Sequence, residues 1–284
     1  MNSFKVAMLM LTLMALFVGV GYLVGGQSGM LIAFVLATVI NFVSYWYSDK
    51  MVLKMFRARE VSESDHPLLY RVVKRVATQA MIPMPKVYIV PSRAPNAFAT
   101  GRNVDHAAVA ASQGLLEILD ENEIEGVIGH EIAHIRNKDM LIGTVAATFA
   151  GAVGILASIA RWGALFGGYG SDERRGGGIG LLVAAIVAPL VAIIIQTAIS
   201  RQREYKADAE GGRITGKHMA LASALEKLHR APVRMNLDTR PGTANLMIVN
   251  PLSGRGFTNL FSTHPPVEKR IARLKELSAQ GAYS

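Results

Sequence analysis

The sequence predicts a mainly α-helical membrane protein with four transmembrane helices and an α+β domain. Three observations lead to this fold class. Of the 284 residues, 51% are apolar, and the mean hydropathy of +0.29 is high for a soluble domain. Four runs of membrane length lack charged side chains. The segment between the second and third runs alternates helix and strand patterns. The predicted order is a two-helix membrane anchor (1–47), the first part of the domain (48–139), a second transmembrane pair (140–200) and the second part of the domain (201–284).

The anchor is predicted from two apolar runs at residues 6–26 and 30–47. The runs follow each other closely, so we expect residues 25–28 to form the turn of a helical hairpin. The three aromatic residues at 45–47 are typical of a membrane interface. Lys5 also resembles the start of a signal peptide, but the apolar run is too long for one and no cleavage site precedes a polar mature start.

The first part of the domain is predicted to contain one helix and three short strands. Apolar residues recur at helical spacing over residues 65–81, and two prolines then end the helix. Strand patterns follow at residues 86–90, 96–101 and 107–111. This order indicates a small sheet packed on helices.

The second transmembrane pair is predicted at residues 140–160 and 179–200, with an exposed Gly-rich loop at 167–178. Buried core helices are the alternative, but the length and low charge of both runs favour spanning. Lys and Arg residues near the ends of the four runs are concentrated on one side, which predicts that both termini and both parts of the domain face the cytoplasm. A segment rich in Gly, Pro, Asn and Ser at 240–256 is predicted to be a mobile flap, either a lid or a linker.

Composition restricts the chemistry. The net charge is +9, but no basic face is interleaved with aromatic residues, so nucleic-acid binding is not expected. The placement of the basic residues beside the membrane runs explains the charge better. The chain has no Cys, which excludes disulfides and thiolate zinc sites and leaves His and carboxylates as metal ligands.

The run from His130 to His134, His-Glu-Ile-Ala-His, predicts a zinc site. Residues four apart lie on one face of a helix, so both imidazoles can bind a single Zn²⁺ if a third ligand comes from elsewhere. Glu131 is rotated off that face and is placed to accept a proton from the attacking water. The two His could instead be ordinary helical side chains. Four acids at 120–125 suit the start of a helix, however, and isoleucines recur at helical spacing through the run.

A second pair of candidates follows the last apolar run. Glu204 and Asp208 are four residues apart, so one helical face can present a third zinc ligand and a carboxylate that supports a ligating His. The alternative is a solvated charged face in which neighbouring Arg and Lys residues pair with the two acids. Spacing alone favours the solvated face.

Three segments closely resemble the HtpX family of bacterial membrane zinc metallopeptidases, and more distantly the eukaryotic membrane metallopeptidases that process CAAX proteins. They are His-Glu-Ile-Ala-His-Ile-Arg-Asn-Lys-Asp (130–139), Ser-Arg-Gln-Arg-Glu-Tyr-Lys-Ala-Asp (200–208) and Ser-Thr-His-Pro-Pro (262–266). The likeness extends over nearly the whole chain. It implies a zincin-like α+β peptidase domain in which one Zn²⁺ is held by His130, His134 and a glutamate third ligand, Glu204, with Glu131 as the catalytic base.

The resemblance also implies further roles. Asn96, Ala97 and Phe98 match an edge segment that holds the substrate backbone as an added strand. The spacing of His264 and Arg270 matches a His and an Arg that lie near the zinc in the CAAX-processing relatives. His264 is therefore expected to donate to the tetrahedral intermediate and Arg270 to orient Glu204 or the substrate, although His264 could also be only a helix-entry residue.

The resemblance implies proteolytic quality control of misfolded membrane proteins in the bacterial inner membrane, in cooperation with an ATP-dependent membrane protease. A non-catalytic adaptor stabilised by zinc is the rival interpretation. Glu131 argues against it, since a structural zinc needs no general base and is usually closed by four protein ligands. A zinc transporter is disfavoured because no Asp, Glu, His, Lys or Arg lies within the four apolar runs.

Overall fold

In the computed structural model the described residues are 2–142, 145, 201–231 and 265–281. Several sequence predictions lie outside them: most of the runs at 140–160 and 179–200, the loop at 167–178, the segment at 240–256, and His264.

The N-terminal helix α1 spans Asn2–Met55 and is folded back on itself at Gly26. Gly26 has a φ of +59°, a left-handed conformation that glycine adopts without a steric penalty. A Cβ on Gly21 would lie 2.5 Å from the carbonyl oxygen of Gly29, whereas residues eight apart in a straight helix are about 12 Å apart. Asn41 donates to the carbonyl of Met10 at 3.2 Å. The two halves therefore lie antiparallel, as expected for a hairpin turning within residues 25–28.

One stretch within the described residues, Gly26–Tyr47, is long and apolar enough to cross a membrane, with a mean hydropathy of 1.8. Only 11% of its most apolar window is buried. Large apolar side chains such as Ile32, Val39 and Phe42 are exposed, which is unlike the core helix of a soluble protein. The other half of the hairpin contributes the shorter apolar helix Val6–Gly19.

The α+β part begins after α1. Its helices are α2 (Pro67–Gln79), α3 (Gln113–Ile118), α4 (Glu121–Arg136), α5 (Arg201–Thr215), α6 (His218–Arg230) and α7 (Val267–Gly281). Its strands are β1 (Arg59–Glu60), β2 (Lys86–Val90), β3 (Ala97–Gly101) and β4 (Ala107–Ser112), and a short 3₁₀ turn, Val104–His106, joins β3 to β4. The predicted helix at 65–81 and the three predicted strands are confirmed within one or two residues at each end.

The four strands form one sheet in the order β1-β2-β4-β3. β2 and β4 are parallel, whereas β1 and β3 pair antiparallel with their neighbours. Within the described residues β3 is therefore an edge strand, and Ala97 is paired with Ala111 in its register with β4.

Both faces of the sheet are covered. Val87, Ala99 and Val109 face the main core, which they share with α2, α4 and α6. Phe98 and Ala110 face the end of α1, where the ring of Phe98 lies 4.7 Å from that of Phe56. Because β4 is buried on both sides, its sequence is a continuous apolar run instead of an alternating one.

Candidate metal centre

Helix α4 is fixed at its start by its own acidic residues. Asp120 and Glu123 form a reciprocal capping box, with both hydrogen bonds at 3.0 Å. Glu123 also accepts from Lys227 on α6 at 2.8 Å, and the buried Glu125 accepts from Lys217 at 2.7 Å and from Arg75 on α2 at 2.8 Å. Glu125 is one of the four acids expected near the start of the helix. It lies on a packed face, and cations on neighbouring elements compensate its charge.

Helix α5 crosses α4 at two glycines. A Cβ on Gly129 would lie 2.9 Å from the carbonyl oxygen of Gly211, and one on Gly211 would lie 2.6 Å from the backbone nitrogen of His130. No side chain fits between the backbones at this point. The close approach brings Glu204 and Asp208 of α5 against the two histidines of α4.

The side chains of His130, His134 and Glu204 converge. The Nε2 atoms of His130 and His134 are 3.1 Å apart, and each lies 3.6 Å from an oxygen of Glu204. Four ligands placed tetrahedrally about 2.1 Å from a zinc ion are about 3.4 Å from one another. Glu204 approaches the two rings with different oxygens, at separations close to those between zinc ligands, and three protein ligands leave one tetrahedral position over.

Each histidine is oriented by a carboxylate on the opposite side of its ring. Nδ1 of His130 is 2.9 Å from Asp208, and Nδ1 of His134 is 3.0 Å from Asp139. Such contacts hold the proton on Nδ1 and leave Nε2 free to bind a metal. Arg270, from α7, donates two hydrogen bonds of 2.7 and 2.6 Å to Asp208, and its Nη1 is 3.9 Å from Glu204.

The charges around the three ligands fit a divalent cation. The carboxylates of Glu131, Asp139, Glu204 and Asp208 surround the two rings, together with the guanidinium groups of Arg203 and Arg270. The carboxylates outnumber the guanidinium groups by four to two, so negative groups predominate around the two rings. A divalent cation held by the three ligands would compensate this excess.

The pKa shifts reflect the same excess of negative charge. Burial lowers the pKa of the His134 ring, but the charges of Asp139, Glu204 and Glu131 outweigh burial and raise that pKa to about 10. Burial raises the pKa of Asp208, but Arg270 and His130 reverse this effect and lower it to about 2. A zinc ion must therefore displace a proton from His134 when it binds.

Glu131 lies off the face that carries the ligating nitrogens and contacts the sheet. Its Oε2 accepts a hydrogen bond of 2.7 Å from the backbone N–H of Ala99 in β3. Burial raises the pKa of Glu131 above its ordinary value, with the charge of Glu204 acting in the same direction. The carboxylate is thus fixed between the metal ligands and the edge strand, with increased affinity for a proton.

In the predicted edge segment, successive residues direct their backbone groups to opposite edges of the strand. The carbonyl of Asn96 accepts from Ser112, so the backbone of residue 96 faces β4. Alternation along the strand directs the backbone N–H and C=O groups of Phe98 toward β4 as well, and directs those of Ala97 and Ala99 to the opposite edge of the strand. Of the three predicted substrate-binding residues, only Ala97 therefore presents its backbone to that edge. All five residues of β3 are buried.

The structure brings together most of the predicted site residues: His130, Glu131, His134, Glu204, Asp208 and Arg270. Glu204 is 7% exposed and Asp208 2%, so the alternative of a solvated charged face is wrong. Asp139 and Gly211 were not recognised from the sequence. Asp139 could have been noticed as the acid that ends the segment 130–139, and Gly211 as part of a Gly-Gly pair inside a helical pattern.

We expect Asp139→Ala and Asp208→Ala each to lower zinc affinity by roughly ten- to a hundredfold, because each removes the acceptor that orients a ligating ring. Asp208→Ala should also lower the melting temperature of the metal-free protein, since it leaves the buried Arg270 without its main carboxylate partner. Zinc titration and thermal unfolding of both variants test this. Unchanged zinc affinity in Asp139→Ala would contradict its role.

Residues 63–278 match the model of peptidase family M48. The chain is 52% identical to an HtpX protease homologue of Desulforapulum autotrophicum, covering 99% of this chain and 91% of that protein. It is also 52% identical to the homologue of Pyrococcus furiosus (97% and 96% covered) and 49% identical to that of Burkholderia thailandensis (99% of both).

Among solved structures, the fold is similar to that of S. mikatae Ste24p. The TM-score is 0.53 at 18% sequence identity, and the match covers 93% of this chain and 62% of that one. At this identity the likeness concerns the fold.

Proposed function

The chain belongs to peptidase family M48 and is a membrane-associated zinc metalloprotease, and we propose that it is a multi-pass endopeptidase that hydrolyses misfolded membrane proteins on the cytoplasmic side. The observation that carries the proposal is the position of Glu131. This buried carboxylate adjoins a zinc-compatible cluster of two histidines and a glutamate, and it contacts the edge of a sheet.

We propose His130, His134 and Glu204 as the protein ligands of one zinc ion and Glu131 as the general base. Zinc bound there would polarise the scissile carbonyl and acidify the attacking water. Glu131 takes a proton from that water while the water oxygen attacks the carbonyl carbon. The same carboxyl group then gives the proton to the leaving nitrogen as the C–N bond breaks. The raised pKa of Glu131 suits it to both transfers.

The substrate backbone is proposed to add to β3 as a further antiparallel or parallel strand. Ala97 offers backbone groups to that edge, and the N–H of Ala99 at the same edge holds Glu131. A peptide paired at this edge is therefore placed beside the base. Because β3 is buried along its length, a peptide can bind only in a conformation that uncovers the edge.

His264 and Arg270 are proposed to complete the site. Arg270 would act through Asp208, which it holds against His130, and more weakly on Glu204. His264 comes directly before Pro265, and we propose that it donates to the developing oxyanion. A His264→Ala variant with kcat within about threefold of wild type would remove this role, because losing such a donor typically costs about a hundredfold or more.

The orientation in the membrane rests on the distribution of Lys and Arg about four proposed spans. The chain has no Cys, so single cysteines can be labelled without background. We expect a cysteine at Ser171 to react with an impermeant maleimide from outside intact cells, and one at Ser278 to remain unlabelled. The reverse pattern would place the peptidase site outside the cytoplasm.

The substrate class and the cooperation with an ATP-dependent membrane protease are supported by the family resemblance. The substrate proposal is tested by incubating the purified, detergent-solubilised protein with an unfolded membrane protein and with casein, each with zinc and with a chelator. We expect zinc-dependent cleavage of both. No cleavage of either would favour the adaptor interpretation. Co-purification from membranes tests the partner.

A further inference from the structure

A cavity of about 420 Å³ lies where the N-terminal hairpin meets the α+β part, outside the metal ligands. Val6 and Tyr45 line it from the N-terminal hairpin, Arg102 and Asp105 from the loop after β3, and Lys138 and Leu141 from the chain after α4. Its volume is in the range of pockets that hold small ligands. One side is apolar and the other is charged.

The cavity lies at the level of an aromatic belt. Trp46 and Tyr47 are exposed at the end of the apolar stretch Gly26–Tyr47. Such residues mark the boundary between acyl chains and headgroups. The guanidinium carbon of Arg102 lies 4.9 Å from the centre of the Trp46 ring. Arg102 is therefore held at the height where lipid phosphates are found.

The positive charge of the cavity lining indicates an anionic ligand. Among the lining residues that the structure describes, two cationic side chains, Arg102 and Lys138, accompany one carboxylate, Asp105, so this part of the lining has an excess of positive charge. Arg and Lys bind phosphate oxygens, and basic pockets between membrane helices bind anionic headgroups. A choline headgroup is disfavoured because it would place its own cation beside Arg102 and Lys138. The apolar wall formed by Val6 and Leu141 suits the glycerol and the first methylenes of an acyl chain.

We propose that this cavity binds the phosphate of an anionic glycerophospholipid between Arg102 and Lys138. Arg102 lies in the loop that follows the edge strand β3, and Lys138 directly precedes Asp139, the carboxylate that orients His134. The bound headgroup thus anchors the end of the metal-binding helix and the end of the edge strand at the membrane surface. This role is separate from peptide hydrolysis.

The test uses the full chain in nanodiscs. Replacing Trp162 with Phe leaves Trp46 as the single tryptophan, next to the cavity. Phosphatidylcholine nanodiscs contain a minor fraction of lipid with brominated acyl chains, either phosphatidylglycerol or phosphatidylcholine. We expect brominated phosphatidylglycerol to quench Trp46 more strongly at equal mole fraction, because it is enriched at the cavity.

The variant Arg102→Gln/Lys138→Asn should abolish this preference, with each lost cation reducing enrichment roughly fivefold. Asn is chosen at position 138 because Lys138 has a φ of +55°, which Asn tolerates. The matched control, Lys54→Gln/Arg59→Gln, removes two exposed charges outside the cavity and should keep the preference. Retained zinc content verifies that the variants are folded, and each single substitution repeats the test with half the charge change.

Three results would overturn the proposal. The double variant could keep the preference for phosphatidylglycerol, which would exclude Arg102 and Lys138 as its cause. The control could lose the preference to the same extent, which would assign it to general surface charge. The wild type could show equal quenching by brominated phosphatidylglycerol and brominated phosphatidylcholine, which would exclude an anionic lipid as the ligand.

Discussion

Replacing Glu131 with Gln should lower peptide hydrolysis by about 10²- to 10⁴-fold while zinc content stays near one ion per chain. The amide has nearly the shape of the carboxylate, and its oxygen can still accept the hydrogen bond from Ala99. It cannot take a proton from the attacking water. The ligating atoms of His130, His134 and Glu204 are not altered. Turnover of an unfolded substrate and metal analysis of the same preparation measure the two effects.

The matched control is Glu121→Gln, the same substitution at an exposed position in the first turn of α4. It should leave turnover and zinc content unchanged. Loss of zinc in Glu131→Gln would place Glu131 among the metal ligands. Full activity with full zinc would remove it as the base and require another proton acceptor.

Features with a local physical cause could be predicted from the sequence. The apolar faces of α2 and α4, the prolines after α2 and the strand patterns of β2 and β3 each act within a few residues, and the corresponding elements were found where expected. The reversal at Gly26 also has a local cause, since glycine adopts a left-handed φ. Helical spacing is local too, because residues four apart lie on one face of a helix, and it placed His130 beside His134 and Glu204 beside Asp208.

Features that depend on tertiary contacts could not be predicted in this way. Asp139 reaches His134 because the chain leaves α4 at Asn137 and reverses through a left-handed Lys138, which helical spacing does not describe. Arg270 meets Asp208 across 62 residues of sequence. The approach of α5 to α4 depends on Gly211 opposing Gly129, which only the packed structure reveals.

The edge strand shows how local and tertiary information combine. The sequence indicated the strand and the resemblance indicated its role, but neither gave its register. In this pairing the backbone groups of Asn96 and Phe98 face β4, and those of Ala97 and Ala99 lie at the opposite edge of β3. A shift of one residue would exchange these sets. The contact of Glu131 with Ala99 therefore depends on this register, and so does the position proposed for the substrate.

Replacing Glu204 with Ala should remove zinc and activity together. It is the one ligand proposed from α5, and its carboxylate lies 3.6 Å from each ligating histidine nitrogen. Two histidines alone leave two of four tetrahedral positions without a protein ligand. Zinc should raise the melting temperature of the wild type, since a ligand that binds only the folded state stabilises it, and this increase should vanish in Glu204→Ala. Metal analysis and thermal unfolding with and without zinc measure both.

Glu226→Ala is the control, since the side chain of Glu226 is 45% exposed on α6 and pairs with Arg230 one turn away. It should bind zinc and respond to it thermally like the wild type. Glu204→Ala should also differ from Asp208→Ala, which keeps all three ligands and loses affinity only by the smaller factor expected for an orienting carboxylate. If Glu204→Ala retained stoichiometric zinc, the third ligand would have to be another carboxylate at the centre. Glu131, which is adjacent to His130, would be the candidate. Equal, mild losses in Glu204→Ala and Asp208→Ala would instead mean that neither acid binds the metal.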